Sequence, residues 1–175
     1  KQTSNGVIHG FISGSGALST TAAANTDITI GTLPANTRIK NLMITSSSLI
    51  TTAGTNGNDL DFSLGISGAF DQIIAPTAIA DDGGSAVTIS ADTTYFLIKD
   101  FLCTGPNLLD ATGATATGGA DTNPATSEAI AIVNGEAVDA ADRALTARLT
   151  PLGNNLTVAS TANITIVIEY ISAFN

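Results

Sequence analysis

Ala162-Asn163-Ile164-Thr165-Ile166-Val167-Ile168-Glu169-Tyr170-Ile171-Ser172 is the stretch that decides the fold class. Ile164, Ile166, Ile168 and Tyr170 fall on one side at a period of two, and Thr165, Val167, Glu169 and Ile171 fall on the other. That is the side-chain period of an extended strand, and β-branched Ile and Val suit a pleated surface better than a helix. One face is apolar or aromatic and the other is mixed, which predicts a central strand covered fully on one side and partly on the other. Each buried Ile stabilises by roughly 1.5–3 kcal/mol. A strand of this quality closes a sheet whose other members come earlier in the chain.

Working outward, the same period recurs. Asp27-Ile28-Thr29-Ile30-Gly31-Thr32-Leu33 alternates, and Pro34-Ala35-Asn36-Thr37 turns the chain, Pro presetting φ and Asn tolerating the left-handed region. Arg38-Ile39-Lys40-Asn41-Leu42-Met43-Ile44-Thr45 returns as a strand whose alternation slips at Asn41, where a bulge is expected. Leu60-Asp61-Phe62-Ser63-Leu64-Gly65-Ile66 puts all four of its large apolar residues on one face. Further strands are read at Val7-Ile8-His9-Gly10-Phe11-Ile12, Val87-Thr88-Ile89, Tyr95-Phe96-Leu97-Ile98, Ala129-Ile130-Ala131-Ile132-Val133, Leu145-Thr146-Ala147-Arg148-Leu149 and Leu156-Thr157-Val158.

Other segments read differently. Ser13-Gly14-Ser15-Gly16 has the composition of a flexible hinge, so residues 1–25 are expected to form a flexible N-terminal arm with one short strand. Phe70, Ile73 and Ile74 suit one or two helical turns ending before Pro76, and Val138 to Arg143 another, with Asp139 and Arg143 at i,i+4. Residues 113–127, rich in Ala, Thr and Gly, read as a long exposed loop. The count is about nine or ten short strands with almost no helix. The expected fold is all-β, a jelly-roll-like antiparallel β-sandwich over residues 26–175.

Composition narrows the function. Six basic against fifteen acidic residues leave a net charge of −9. Nucleic-acid binding needs clustered Lys and Arg to neutralise phosphates, and here they are scattered apart from Arg38 and Lys40, so neither nucleic acid nor an anionic membrane surface is an expected partner. No run is apolar for long enough to span a membrane as a helix, and the opening residues carry no apolar core of a signal peptide. Cys103 is the single cysteine, which precludes an intrachain disulfide and a thiolate metal site; it reads as a small buried hydrophobe.

Candidate chemistry is sparse. His9 is the one histidine, so any Ser-His-Asp or Cys-His machinery has to use it, and no Gly-x-Ser-x-Gly elbow occurs. It reads as an ordinary strand histidine. Asn56-Gly57-Asn58-Asp59-Leu60-Asp61 and Asp81-Asp82-Gly83-Gly84 are the two places where hard oxygen ligands bunch, and both read as solvated turns, with a metal at Asp59/Asp61 or Asp81/Asp82 left open. Nothing in the spacing of Glu128, Glu136 and Glu169 points to a glycosidase pair. Asn155-Leu156-Thr157 and Asn163-Ile164-Thr165 match the glycosylation sequon, as Thr-rich strands do by chance. The expectation is no enzyme, no catalytic or cofactor-binding residue, and no cofactor.

Three pieces together carry a resemblance: the run Asp27 to Ile39 with its I-G-x-L-P-A-N-x-x-I order, the Leu60-Asp61-Phe62-Ser63-Leu64-Gly65 strand, and the terminal Ile164 to Tyr170 strand. In this order the chain resembles the small β-sandwich structural proteins of tailed bacteriophages, and among them the capsid decoration (cement) proteins. The resemblance implies a virion protein on the outer capsid surface that binds major capsid protein and ties neighbouring subunits together. It also implies a homo-oligomer, a trimer in preference to a dimer, in keeping with closed symmetry. An acidic chain agrees with a position outside a DNA-filled head. The arm would clamp the shell or add a strand to a partner sheet. The competing reading is a tail-fibre or host-recognition sandwich that binds carbohydrate; aromatics at 5% with no Trp argue against it. A pilus or surface-layer subunit ranks third and an enzyme last.

Overall fold

The computed structural model describes residues 9–52, 59–80, 86–99, 102–103 and 141–172. These form twelve strands: β1 (His9–Ala17), β2 (Thr26–Leu33), β3 (Thr37–Ser46), β4 (Ile50–Thr51), β5 (Leu60–Ile66), β6 (Ala69–Ala80), β7 (Thr88–Ile89), β8 (Thr94–Lys99), β9 (Leu102–Cys103), β10 (Arg143–Pro151), β11 (Thr157–Val158) and β12 (Asn163–Ser172). Among the described residues there is no helix, and so none long and apolar enough to cross a membrane.

A five-stranded sheet runs β1-β12-β3-β8-β9, a four-stranded sheet β2-β10-β5-β6, and a small three-stranded sheet β11-β4-β7. All the pairings are antiparallel. Taking the eight longer strands in chain order, the first pairs with the last (β1 with β12) and the second with the last but one (β2 with β10). The third pairs with the sixth (β3 with β8) and the fourth with the fifth (β5 with β6). This nesting is one long ribbon of strand pairs, rolled so that alternate pairs lie in opposite sheets. It is the connectivity of a jelly roll, and the expected all-β sandwich is the fold observed.

Alternation places the core. Ile164, Ile166 and Ile168 of β12 are at most 1% exposed, whereas Thr165 and Val167 between them are part-exposed. Leu42 and Ile44 continue this inner face on β3, with Tyr95 and Leu97 on β8. Ile28 and Ile30, Leu145 and Leu149, and Leu60, Phe62 and Leu64 face them from the other sheet. β12 is hydrogen-bonded on both sides, to β1 from His9↔Ile171 to Ala17↔Asn163 and to β3 from Ser46↔Ile164 to Thr37↔Ser172. The slip expected at Asn41 lies one residue away: Glu169 pairs with Asn41 and Tyr170 with Ile39, leaving Lys40 as the extra residue. Asn36 takes a φ of 56° in the turn before β3, the left-handed conformation anticipated for it.

Two local expectations are corrected. Residues 13–16, read as a hinge, are extended within β1. Gly14 is there for close approach, not for bending. A Cβ on it would collide with the Thr29 carbonyl of β2, so β1 and β2, the edge strands of the two sheets, meet backbone against backbone. From His9 onward the segment expected as an arm is tied to the body. Leu18 N donates to Ala162 O at 2.8 Å, Ala22 N to Asn155 Oδ1 at 2.8 Å and Ala23 N to Pro151 O at 2.7 Å. The helical turns read between residues 69 and 80 are strand β6 instead. Its pairing with β5 shifts register three times, which buries Ile73 and Ile74 side by side and mimics helical spacing. Pro76 is accommodated because β6 is an edge strand, where a missing N–H breaks no ladder. Arg143 opens β10; residues 138–140, the strand read at 129–133 and the loop at 113–127 lie outside the described residues.

Ile166→Ala is expected to lower unfolding stability by about 2–5 kcal/mol through a cavity at the centre of β12. Gly14→Ala is expected to cost about 1–3 kcal/mol by forcing the two edges apart. Urea titration followed by far-UV circular dichroism measures both, and a loss under 0.5 kcal/mol for either would contradict the packing described.

Candidate functional site

Two groups of polar side chains stand on the outer faces of the sandwich, one on each large sheet. On the five-stranded sheet the group is centred on Glu169, the one charged residue of β12 and only 8% exposed. Its strand neighbours are Phe11 on β1 and Asn41 on β3, so donors reach it from both sides. His9 Nε2 bonds Oε1, Asn41 Nδ2 donates to Oε2, and Lys40, the bulged residue, brings Nζ to 3.3 Å from Oε1. The His9 hydrogen bond, helped by Asn41 and Lys40, holds the Glu169 carboxyl below the usual carboxylate range despite its burial. The His9 ring also meets Phe11 edge-on, with centroids 5.3 Å apart. A carboxylate engaged by three donors is a poor base. What this arrangement does is fasten the start of β1 to β12 and β3.

On the four-stranded sheet, strand register aligns Asp27 of β2, Arg148 of β10 and Ser63 of β5 in one row. Arg148 donates to Asp27 through two parallel bonds, Nε to Oδ1 at 2.7 Å and Nη2 to Oδ2 at 2.9 Å. Arg148 holds the Asp27 carboxyl below the usual range, and Asp27 in turn raises the guanidinium. The same guanidinium lies over the Phe70 ring, with Cζ 3.7 Å from the ring centroid. Phe70 gets there because Gly65 has no side chain. The opening of β6 passes directly over Gly65, where a Cβ would collide with the Ala69 carbonyl and come within 2.9 Å of Asp71 N. Around this stack opens a recess of about 240 Å³, lined by Ser63, Gly68, Ala69, Phe70, Asp71, Pro76 and Arg148.

Of the residues singled out from sequence, the structure brings His9 and Glu169 together. Asp61 stands on the outer face of β5, half-buried, and burial pushes its carboxyl up. Among the described residues no three His, Cys, Asp or Glu side chains converge on a point where a metal ion could sit. Asp81, Asp82, Glu128 and Glu136 lie outside the described residues. Cys103 pairs with Ile98 through the β9 backbone, and its side chain is likewise outside them. Asn155 accepts the Ala22 amide, a structural use of the first sequon asparagine. Tyr95 is buried, with its hydroxyl accepting from Ser90 N at 3.1 Å. Sequence reading missed the Asp27–Arg148–Phe70 stack entirely. Its members are far apart in the chain and meet only through register.

No family model matches this chain, and no curated protein matches it. Two solved structures of phage capsids each contain a chain similar to this one. The Cyanophage Pam1 capsid asymmetric unit contains a chain 13% identical, with 98% of this chain and 89% of that chain covered and a TM-score of 0.45. The capsid of Ralstonia phage GP4 contains one 14% identical, with 100% and 90% covered and a TM-score of 0.40.

Glu169 has its pKa depressed in the folded state, so its stabilisation is present above the unfolded-state value and is lost as pH falls through the folded one. Glu169→Gln is therefore expected to lower stability at neutral pH by about 1–3 kcal/mol and to flatten the acid limb of the stability profile, read by urea titrations from neutral to acidic pH. For the second group, Gly65→Ala is expected to push residues 69–71 off β5 and to cost about 1–3 kcal/mol. The Phe70 ring protons would lose their contacts to Arg148 in nuclear Overhauser spectra.

Proposed function

We propose that this chain is a virion structural protein that decorates the outer surface of a phage capsid and ties neighbouring subunits of the major capsid protein together. The observation that carries this reading is where the three sequence pieces of the resemblance fall in the fold. The run from Asp27 to Ile39 is β2, its turn and the start of β3, the link by which the chain crosses from one sheet to the other. Leu60 to Gly65 is the body of β5, and Ile164 to Tyr170 is the body of β12. The likeness thus lies in the frame of the jelly roll and not in surface ornament. Such a body holds its shape under load, because adjacent strands are joined by antiparallel ladders and the faces between them are apolar. A net charge of −9 favours the outside of a head over contact with packaged DNA.

In this reading the chain is a homo-oligomer, a trimer in preference to a dimer, seated at a local symmetry point. Residues 1–8 precede the part of β1 that is fastened by His9 and Glu169, and they serve as the segment that grips the shell. The test mixes the purified chain with capsids assembled from the major capsid protein of the same genome and separates them on a gradient. The chain is expected to co-sediment with capsids, and light scattering should give a trimer mass. Removing residues 1–8, which leaves β1 whole, is expected to weaken co-sedimentation at least tenfold. A chain that stays at the top of the gradient at every concentration, and is missing from purified virions by mass spectrometry, would overturn the reading.

A further inference from the structure

We infer that the recess beside Arg148 on the four-stranded sheet is a binding site for one ring of an uncharged carbohydrate. Three observations lead to it. The first is a polar side chain at its floor: Ser63, 4% exposed, lines the recess and can offer its hydroxyl to a ligand. The second is rigidity. Arg148 is held at one edge by Asp27 and on one face by Phe70, so the N–H donors that Asp27 does not use are presented in fixed positions. The third is the pairing of apolar and polar walls, with Phe70 and Pro76 offering flat hydrocarbon surface beside the exposed carboxylate of Asp71.

Charge selects the ligand class. Asp27 already neutralises Arg148, and Asp71 adds a second carboxylate, which leaves the recess with negative charge in excess. A phosphate or a carboxylate ligand would be repelled. A neutral polyol is suited: its hydroxyls can accept from Arg148, donate to Asp71 and bond Ser63, while its C–H face lies against Phe70 or Pro76. The volume of about 240 Å³ has room for a single sugar ring and not for an extended chain.

This assignment stands apart from the capsid reading and is tested on the isolated chain, so either can fail alone. The full-length chain is screened on an array of neutral and acidic glycans. Amide resonances are then followed while methyl glucoside, methyl galactoside, N-acetylglucosamine or inorganic phosphate is added. Saturable shifts at residues 68–71 and 148 with at least one neutral sugar are expected, with a Kd on the order of millimolar. Asp71→Asn, an exposed change, and Ser63→Ala are each expected to weaken that binding at least fivefold, while Ser15→Ala on the other sheet leaves it unchanged. No shift with any neutral sugar and an array without neutral hits would overturn the assignment. So would shifts with phosphate alone, or an affinity that either Asp71→Asn or Ser63→Ala leaves intact.

Discussion

The constraint on which this body depends is that β12 is shared. Its backbone bonds β1 on one side and β3 on the other, while Ile164, Ile166 and Ile168 fill the interior between the sheets. One strand therefore fixes the edge of a sheet, its continuation toward β8, and the spacing to the opposite sheet. Each of the three isoleucines contributes roughly 1.5–3 kcal/mol by burial. The same strand carries Glu169 outward, where His9, Lys40 and Asn41 converge on it from its two neighbours. Apolar contacts on one face and a satisfied carboxylate on the other act on the same few residues.

Much of the frame was legible because it obeys a period of two. β2, β5, β10 and β12 each show one apolar face, and their residue types agree with the pleated half-buried setting in which they lie. The turn at Asn36 was legible for a local reason, since Asn tolerates the left-handed backbone found there. β6 was not. Its bulges bury Ile73 and Ile74 together, and a disrupted strand has no period to read. Residues 13–16 misled because glycine has two uses: composition suggests freedom, whereas Gly14 answers to the Thr29 carbonyl across the flank.

The outer groups were less legible than the core, and the reason is register. Asp27, Ser63 and Arg148 lie in one row only because β2, β10 and β5 pair as they do, and Phe70 joins them only because Gly65 lets β6 cross. No spacing along the chain encodes such a meeting. Glu169 left one trace, a lone charge in its strand, which demands partners without naming them. Lys40 became one through the bulge, whose position the sequence reading placed within a residue.

The pairing of β1 with β12 sets the order of events during synthesis. His9 meets Ile171 across more than nine-tenths of the chain, and the ladder that closes the flank cannot form until β12 has been made. A nascent chain must carry β1 without this partner until β12 has been made, a state open to wrong partners. Contacts this remote in sequence also slow the search for the native topology. The nested ribbon thus puts the joining of β1 to β12 among the late steps in building the body.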